Sequence, residues 1–127
     1  MRTCINCSIL IVKKDNVYCN HKCRFEHRRA TYIKNWIEGK ESGRVGSTYQ
    51  FSLYVRRFLL EEANYQCTMC GWGERNEVSD SIPLHIDHID GDASNTTRMN
   101  LRVLCPNCHS LTPNYGSLNT GNSVRKY

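Results

Sequence analysis

The sequence predicts a small α+β protein stapled by metal rather than held by a large apolar core. Three observations carry this. The chain has 127 residues, 39% hydrophobic and 23% charged, with a mean hydropathy of −0.58. That length allows one domain or two very small ones, and that composition gives a thin core. All eight cysteines fall in close pairs: Cys4/Cys7, Cys19/Cys23, Cys67/Cys70 and Cys105/Cys108. Finally, strand-sized apolar runs alternate with two stretches of helical periodicity.

Close cysteine pairs present their thiolates to one metal ion; a disulfide framework is the alternative. The opening Met-Arg-Thr-Cys-Ile-Asn-Cys has neither a long apolar region nor a small-residue cleavage site. No secretory signal is read there, and a reducing, cytoplasmic compartment is expected, which favours metal. No run approaches the ~18 apolar residues of a membrane span, so no membrane partner is expected.

Cys4, Cys7, Cys19 and Cys23 make a first zinc set, enclosing two short strands at residues 9–12 and 16–18 with a turn at Lys14, Asp15 and Asn16. His21 and His27 are alternative ligands, but four cysteines suffice. Residues 24 to about 40 read as a helix with Phe25, Tyr32, Ile33, Trp36 and Ile37 near one stripe, ended by Gly39 and Gly43. Residues 41–46 read as a linker. Residues 49–64 read as a second helix, capped by Ser47 or Thr48, with Phe51, Val55, Phe58 and Leu59 on a core-facing side.

Cys67, Cys70, Cys105 and Cys108 make the second set, with Gly71 relieving the knuckle turn. A closed four-sulfur site leaves no position for substrate, so both zinc ions are expected to be structural. Each supplies folding free energy on the order of 10 kcal/mol to a unit too small to fold alone. Between the pairs, residues 84–90 suggest a strand, Gly91 between Asp90 and Asp92 a turn, and residues 100–104 a returning strand. Residues 105–111 read as a knuckle opening a short helix. The Gly/Asn-rich residues 113–127 form a tail without a core of its own. The expected divisions are therefore 1–46, 47–112 and 113–127.

Charge is unevenly spread. Residues 1–66 are net +6, residues 67–112 net −3 and residues 113–127 net +2. Basic flanks suit a polyanion such as nucleic acid, and an acidic, histidine-containing centre suits a divalent cation. The candidate phosphate contacts are Arg28, Arg29, Arg56, Arg57, Arg98, Arg102, Arg125 and Lys126.

The run Asp87-His88-Ile89, with Asp90-Gly91-Asp92, Asn100-Leu101 and Cys105-Pro106-Asn107-Cys108-His109, resembles the HNH nuclease family. His88, Asn100 and His109 stand for its His, Asn and His. The likeness is close over about residues 65–112. It is looser over the rest, which is similar to small phage-type HNH endonucleases with an N-terminal zinc unit. It implies a ββα-metal, treble-clef-like core and a metal-dependent endodeoxyribonuclease acting on double-stranded DNA, leaving 5′-phosphate and 3′-hydroxyl ends. It also implies His88 as general base and one catalytic Mg²⁺ or Mn²⁺ on Asp87 and His109. Asn100 would hold the hairpin loop and so orient His88. A histidine titrating near ~6.5 suits that role. One site cuts one strand, so a monomer is expected to nick, in a bacterial host cytoplasm if the gene is phage-borne.

His85, on the face of Asp87, reads as an exposed strand histidine, a third metal ligand being the alternative. Asp90 and Asp92 read as turn formers. One rival is a non-catalytic zinc-dependent DNA-binding protein, which needs the cysteines but not Asp87, His88, Asn100 and His109 together. A zinc deaminase pairs H-x-E with P-C-x-x-C; here the acid is Asp87, no proline precedes Cys105, and Cys67 and Cys70 would have no role.

Overall fold

A computed structural model describes residues 2–116 and 118. Arg125, Lys126 and most of the expected tail lie outside the described residues. The chain divides into two compact units, Met1–Glu41 and Ser42–Tyr127. No described helix is long and apolar enough to cross a membrane.

In the first unit, β1 (Arg2–Thr3) pairs antiparallel with β2 (Leu10–Ile11), Arg2 opposite Ile11. The first cysteine knuckle closes this hairpin. The Cys4 N–H donates to the Ile9 carbonyl at 2.7 Å and the Ser8 N–H to the Cys4 carbonyl at 2.9 Å. The strand expected at residues 16–18 does not form. The Ile5 N–H donates to the Val17 carbonyl at 3.1 Å, and the segment then delivers Cys19 to the knuckle instead of extending the ladder.

Helix α1 (His21–Ile37) starts at His21 rather than at residue 24. Asn20 is extended there, and its side chain accepts the Cys23 N–H at 2.8 Å. This cap satisfies a donor that the first turn would otherwise leave unpaired, and it sets Cys23 inside that turn. The helix ends where its glycine predicts. Gly39 takes φ 80 and donates its N–H to the Trp36 carbonyl at 3.0 Å. The apolar stripe is narrower than its periodicity suggests: Ile33 and Trp36 are buried, whereas Phe25 and Ile37 stay 48% and 46% exposed. Around the knuckle the buried cluster is Cys4, Ile11 and Cys23 with Tyr18 packed on it, too small a core to hold a fold by itself.

In the second unit, residues 43–52 are a folded-back turn rather than linker and helix start. Arg44 faces Phe51 in an antiparallel bridge. The Val45 N–H donates to the Gln50 carbonyl and the Ser52 N–H to the Gly43 carbonyl, both at 2.8 Å, with Gly43 at φ 77. Thr48 is used inside this turn, its hydroxyl donating to the Val45 carbonyl at 2.6 Å. The cap of α2 (Leu53–Glu62) therefore falls to Ser52, which accepts the Tyr54 N–H at 3.2 Å. Val55 and Leu59 are the buried positions of α2.

β3 (His85–His88) and β4 (Leu101–Leu104) form an antiparallel hairpin in the register His85 to Leu104 and Asp87 to Arg102. A 3₁₀ turn, Arg98–Asn100, leads into β4, and α3 (Pro106–Ser110) follows it. The strand–strand–helix order matches the expectation. α3 packs on both strands and α2 on β4. The buried side chains here include Leu84, Ile86, Leu101, Val103 and Leu104. α3 opens with the Cys105 sulfur accepting the Cys108 N–H at 3.3 Å and a proline in its first turn, where a missing N–H costs nothing.

The knuckle at residues 67–70 is tied to the same hairpin. The Thr68 N–H and hydroxyl both donate to the Val103 carbonyl, at 2.9 and 2.8 Å. Gly71 takes φ 78, the conformation expected of it, and donates its N–H to Cys67 at 2.8 Å. Gly73 packs closely: a Cβ there would stand 2.7 Å from the Tyr65 carbonyl oxygen. That oxygen belongs to backbone already held at φ 55. Gly73→Ala is therefore expected to cost about 1–3 kcal/mol, read as a lower denaturation midpoint with unchanged metal content. An unchanged midpoint would show that the turn yields freely.

Candidate active site and cysteine clusters

Each set of four cysteines converges. The sulfurs of Cys4, Cys7, Cys19 and Cys23 lie within 4.8 Å of one another, as do those of Cys67, Cys70, Cys105 and Cys108. The Cys7–Cys19, Cys19–Cys23 and Cys70–Cys105 pairs stand at 3.6, 3.5 and 3.6 Å. All eight are free thiols. Four sulfurs bonded to one ion at ~2.3 Å would sit ~3.8 Å apart along tetrahedral edges, so both sets fit a zinc-sized ion. His27 is not drawn in, its Nδ1 lying 3.0 Å from the Tyr18 hydroxyl.

The protonation chemistry points the same way. Burial opposes ionisation of Cys4, but backbone N–H groups of Cys7, Cys19 and Asn6 outweigh it and bring its pKa down to about 6. Cys67 falls to about 6 likewise, burial being overcome by the backbone of Cys105, Cys70 and Met69. Cys19 is pushed up to about 12, chiefly by its hydrogen bonds to Cys23 and Cys7, and Cys108 to about 12, chiefly by Cys105. Crowded sulfurs cannot all carry charge without a cation among them.

The remaining site residues stand on the β3–β4 hairpin and α3. Alternation along β3 sends Asp87 and His88 to opposite faces. Asp87 is buried, at 7% exposure. Its Oδ2 accepts from the Arg102 Nε at 2.8 Å, across the strand pair. Its Oδ1 faces the Nε2 of His109 at 3.6 Å. A cation bonded to both atoms at ~2.1 Å spans that separation, and an oxygen–imidazole donor pair suits Mg²⁺ or Mn²⁺.

His109 is held from two further sides. Its Nδ1 lies 2.9 Å from the Nδ1 of His85, and the Tyr115 ring meets it edge-on at 5.2 Å. His85 thus leans on His109 through its ring nitrogen while its residue as a whole stays exposed. Burial, then the charges of His109 and Arg56, hold its pKa below the ordinary histidine value.

His88 occupies the other face. The Phe51 ring stacks on it, 5.1 Å between centroids at 17°, and its Nε2 lies 3.2 Å from the Thr96 hydroxyl. Burial holds its pKa below the ordinary value, outweighing the attraction of Asp87, Asp90 and Asp92, and Arg44 pushes the same way. Periodicity assigned Phe51 to core packing alone. Its place on His88 arises from the turn at residues 43–52, which no local pattern announced.

Asn100 pins the loop between the strands. Its Nδ2 donates to Asp90 Oδ1 and to the Asn95 carbonyl, both at 2.8 Å, and its Oδ1 accepts the Asp90 N–H at 3.0 Å. The Ile89 N–H donates to its backbone carbonyl at 2.8 Å, so the residue after His88 is fixed directly. Asp90 also accepts from Asn95 and Asp92, and Asp92 from Ser94. These bonds keep both aspartates ionised below the usual carboxylate range, led by Asn95 for Asp90 and by Ser94 for Asp92.

The arginines are mostly engaged within the protein. Arg56 donates to the Leu84 carbonyl at 3.2 Å, Arg57 pairs with Glu61 at 3.0 Å, and Arg98 pairs with Glu62 while lying over Phe58. On α1, Arg28 is exposed and Arg29 half-buried; Arg24 and Arg28 line an open groove with His21.

Residues 67–113 match the HNH endonuclease family. Over 57 residues the chain is 40% identical to the H-N-H endonuclease F-TflIV of Escherichia phage T5, a stretch covering 45% of this chain and 24% of that protein. The chain thus spans about a quarter of the relative's length. No solved structure matches it. The hairpin and short helix, the paired cysteines and the family match agree, and residues 67–113 are an HNH endonuclease domain.

Proposed function

We propose that the chain is an endonuclease that hydrolyses phosphodiester bonds of double-stranded DNA, nicking one strand as a monomer in the cytoplasm of a bacterial host. The observation that carries this is the hairpin's division of labour. A desolvated His88 stands on one face, and the Asp87–His109 pair on the other. Two structural Zn²⁺ ions would occupy the four-cysteine clusters.

A Mg²⁺ or Mn²⁺ ion held by Asp87 Oδ1 and His109 Nε2 would polarise the phosphate and stabilise the leaving 3′ oxygen. His88 does the proton work. The Thr96 hydroxyl lies 3.4 Å from the Ala93 carbonyl, which takes its proton. The Thr96 oxygen then accepts Nε2–H of His88, leaving Nδ1 as the base that receives the proton of the attacking water. Because burial disfavours the imidazolium, the ring enters the reaction neutral. Asn100 acts by orientation, fixing Ile89 and Asp90 and with them the end of β3.

DNA contacts are assigned first to Arg28, which is exposed on α1, with Arg29 beside it adding charge. Arg56, Arg57, Arg98 and Arg102 contribute mainly positive field, since each already serves a protein oxygen. Arg125 and Lys126 would add two charges from the tail.

Elemental analysis of folded protein is expected to find two zinc ions per chain, and strong chelation to unfold it. One zinc or none in fully folded protein would remove the structural assignment. On supercoiled plasmid with Mg²⁺ or Mn²⁺, His88→Ala should lower nicking on the order of 10²–10⁴-fold, with secondary structure and DNA affinity retained. Asp87→Ala and His109→Ala should weaken Mn²⁺ binding as well as cleavage, and Asn100→Ala should cost less than His88→Ala. Wild-type rates in His88→Ala would end the general-base assignment. DNA binding without any cleavage by the wild type would leave a zinc-dependent DNA-binding protein.

A further inference from the structure

Arg44 lies outside the segment that matches the HNH family, on the turn that folds back over His88. Residues facing each other across an antiparallel bridge project to the same side. Arg44 therefore shares the face of Phe51, whose ring is stacked on the His88 imidazole.

The Arg44 guanidinium is placed unlike those of the other described arginines of this unit. Arg56 serves Leu84, Arg57 Glu61, Arg75 Asp80, Arg98 Glu62 and Arg102 Asp87. Arg44 meets the face of Tyr49 at 5.7 Å. Its Nε is the one buried side-chain nitrogen or oxygen without a hydrogen-bond partner among the described residues. A buried donor left unpaired is costly, and such groups are kept where a ligand completes them. The carboxylates around His88 do not supply the missing acceptor. Asp87 is bonded to Arg102, Asp90 to Asn95 and Asn100, and Asp92 to Ser94.

We propose that Arg44 contacts the substrate, its guanidinium binding the phosphate on which His88 acts, so that the active site extends to the turn at residues 43–52. This rests on the nuclease reading. A planar cation suits this place because it offers several N–H donors to non-bridging phosphate oxygens without taking a proton from the water or from His88. Its pull strengthens as negative charge builds on the phosphate, so it favours the transition state over bound substrate. Tyr49 and Phe51 hold the turn that carries it, and its Nε is left without a protein acceptor.

The test is single-turnover cleavage of a short duplex in Mg²⁺ by wild type, Arg44→Ala, Arg44→Lys and His88→Ala. Duplex affinity is measured alongside by fluorescence anisotropy in Ca²⁺. Arg44→Ala is expected to cleave on the order of 100-fold more slowly, with weaker duplex binding and an unchanged melting temperature. Arg44→Lys should recover part of the rate, and millimolar guanidinium ion should speed Arg44→Ala while leaving the wild type unaffected. Arg44→Ala cutting within about threefold of wild type would overturn the proposal. A loss that neither lysine nor guanidinium ion restores would also overturn it and mark Arg44 as structural. If the wild type does not cut at all, the nuclease reading fails by itself. Arg44 is then judged on binding: equal duplex affinity of wild type and Arg44→Ala overturns the phosphate contact, and weaker affinity of the variant sustains it.

Discussion

The meeting of Cys67, Cys70, Cys105 and Cys108 within 4.8 Å is the constraint on which the second unit depends. It joins the chain before β3 to the chain after β4, closing a loop that few apolar side chains could close alone. The same four residues do local work: Cys105 caps α3, and the Cys67 knuckle is bonded to β4 through Thr68. α3 is only one and a half turns long and would not persist in isolation. Its first turn is held by the cluster, and His109 follows directly from that anchor.

The hairpin turns this rigidity into chemistry. Side chains on a strand alternate, so adjacent residues serve opposite faces at no cost in chain length. Asp87 divides its two oxygens between Arg102 and His109. The arginine balances a buried carboxylate that would otherwise be expensive, and it orients the other oxygen toward the imidazole. On the opposite face, Phe51 removes water from His88 without adding a charge of its own. One residue is kept ionic and its neighbour neutral by what each packs against.

The loop between the strands is stabilised from within. Asp90 and Asp92 spend their oxygens on Asn95, Asn100, Ser94 and backbone N–H groups. These bonds keep the carboxylates ionised, and their charge favours the His88 imidazolium, but burial outweighs it. Arg56, Arg57, Arg75, Arg98 and Arg102 are likewise bound to the protein's own oxygens, which leaves Arg44 conspicuous on the turn over His88.

The sequence by itself determined what local spacing can encode. The cysteine pairs declared both clusters, because metal ligation depends on a few intervening residues. Strand alternation separated Asp87 from His88, and glycine marked the end of α1 and the knuckle turn. Only the tertiary structure decided which side chains meet across distance in the chain. It gave the α2 cap to Ser52, brought Phe51 and Arg44 to His88, set His85 against His109, and bound Arg56 and Arg98 to protein oxygens. The strand expected at residues 16–18 failed for the same reason: its backbone serves the first cluster rather than a partner strand. Periodicity reports which face of an element is apolar. It carries no information about which distant turn will fold over that face, and the candidate site is assembled from such meetings.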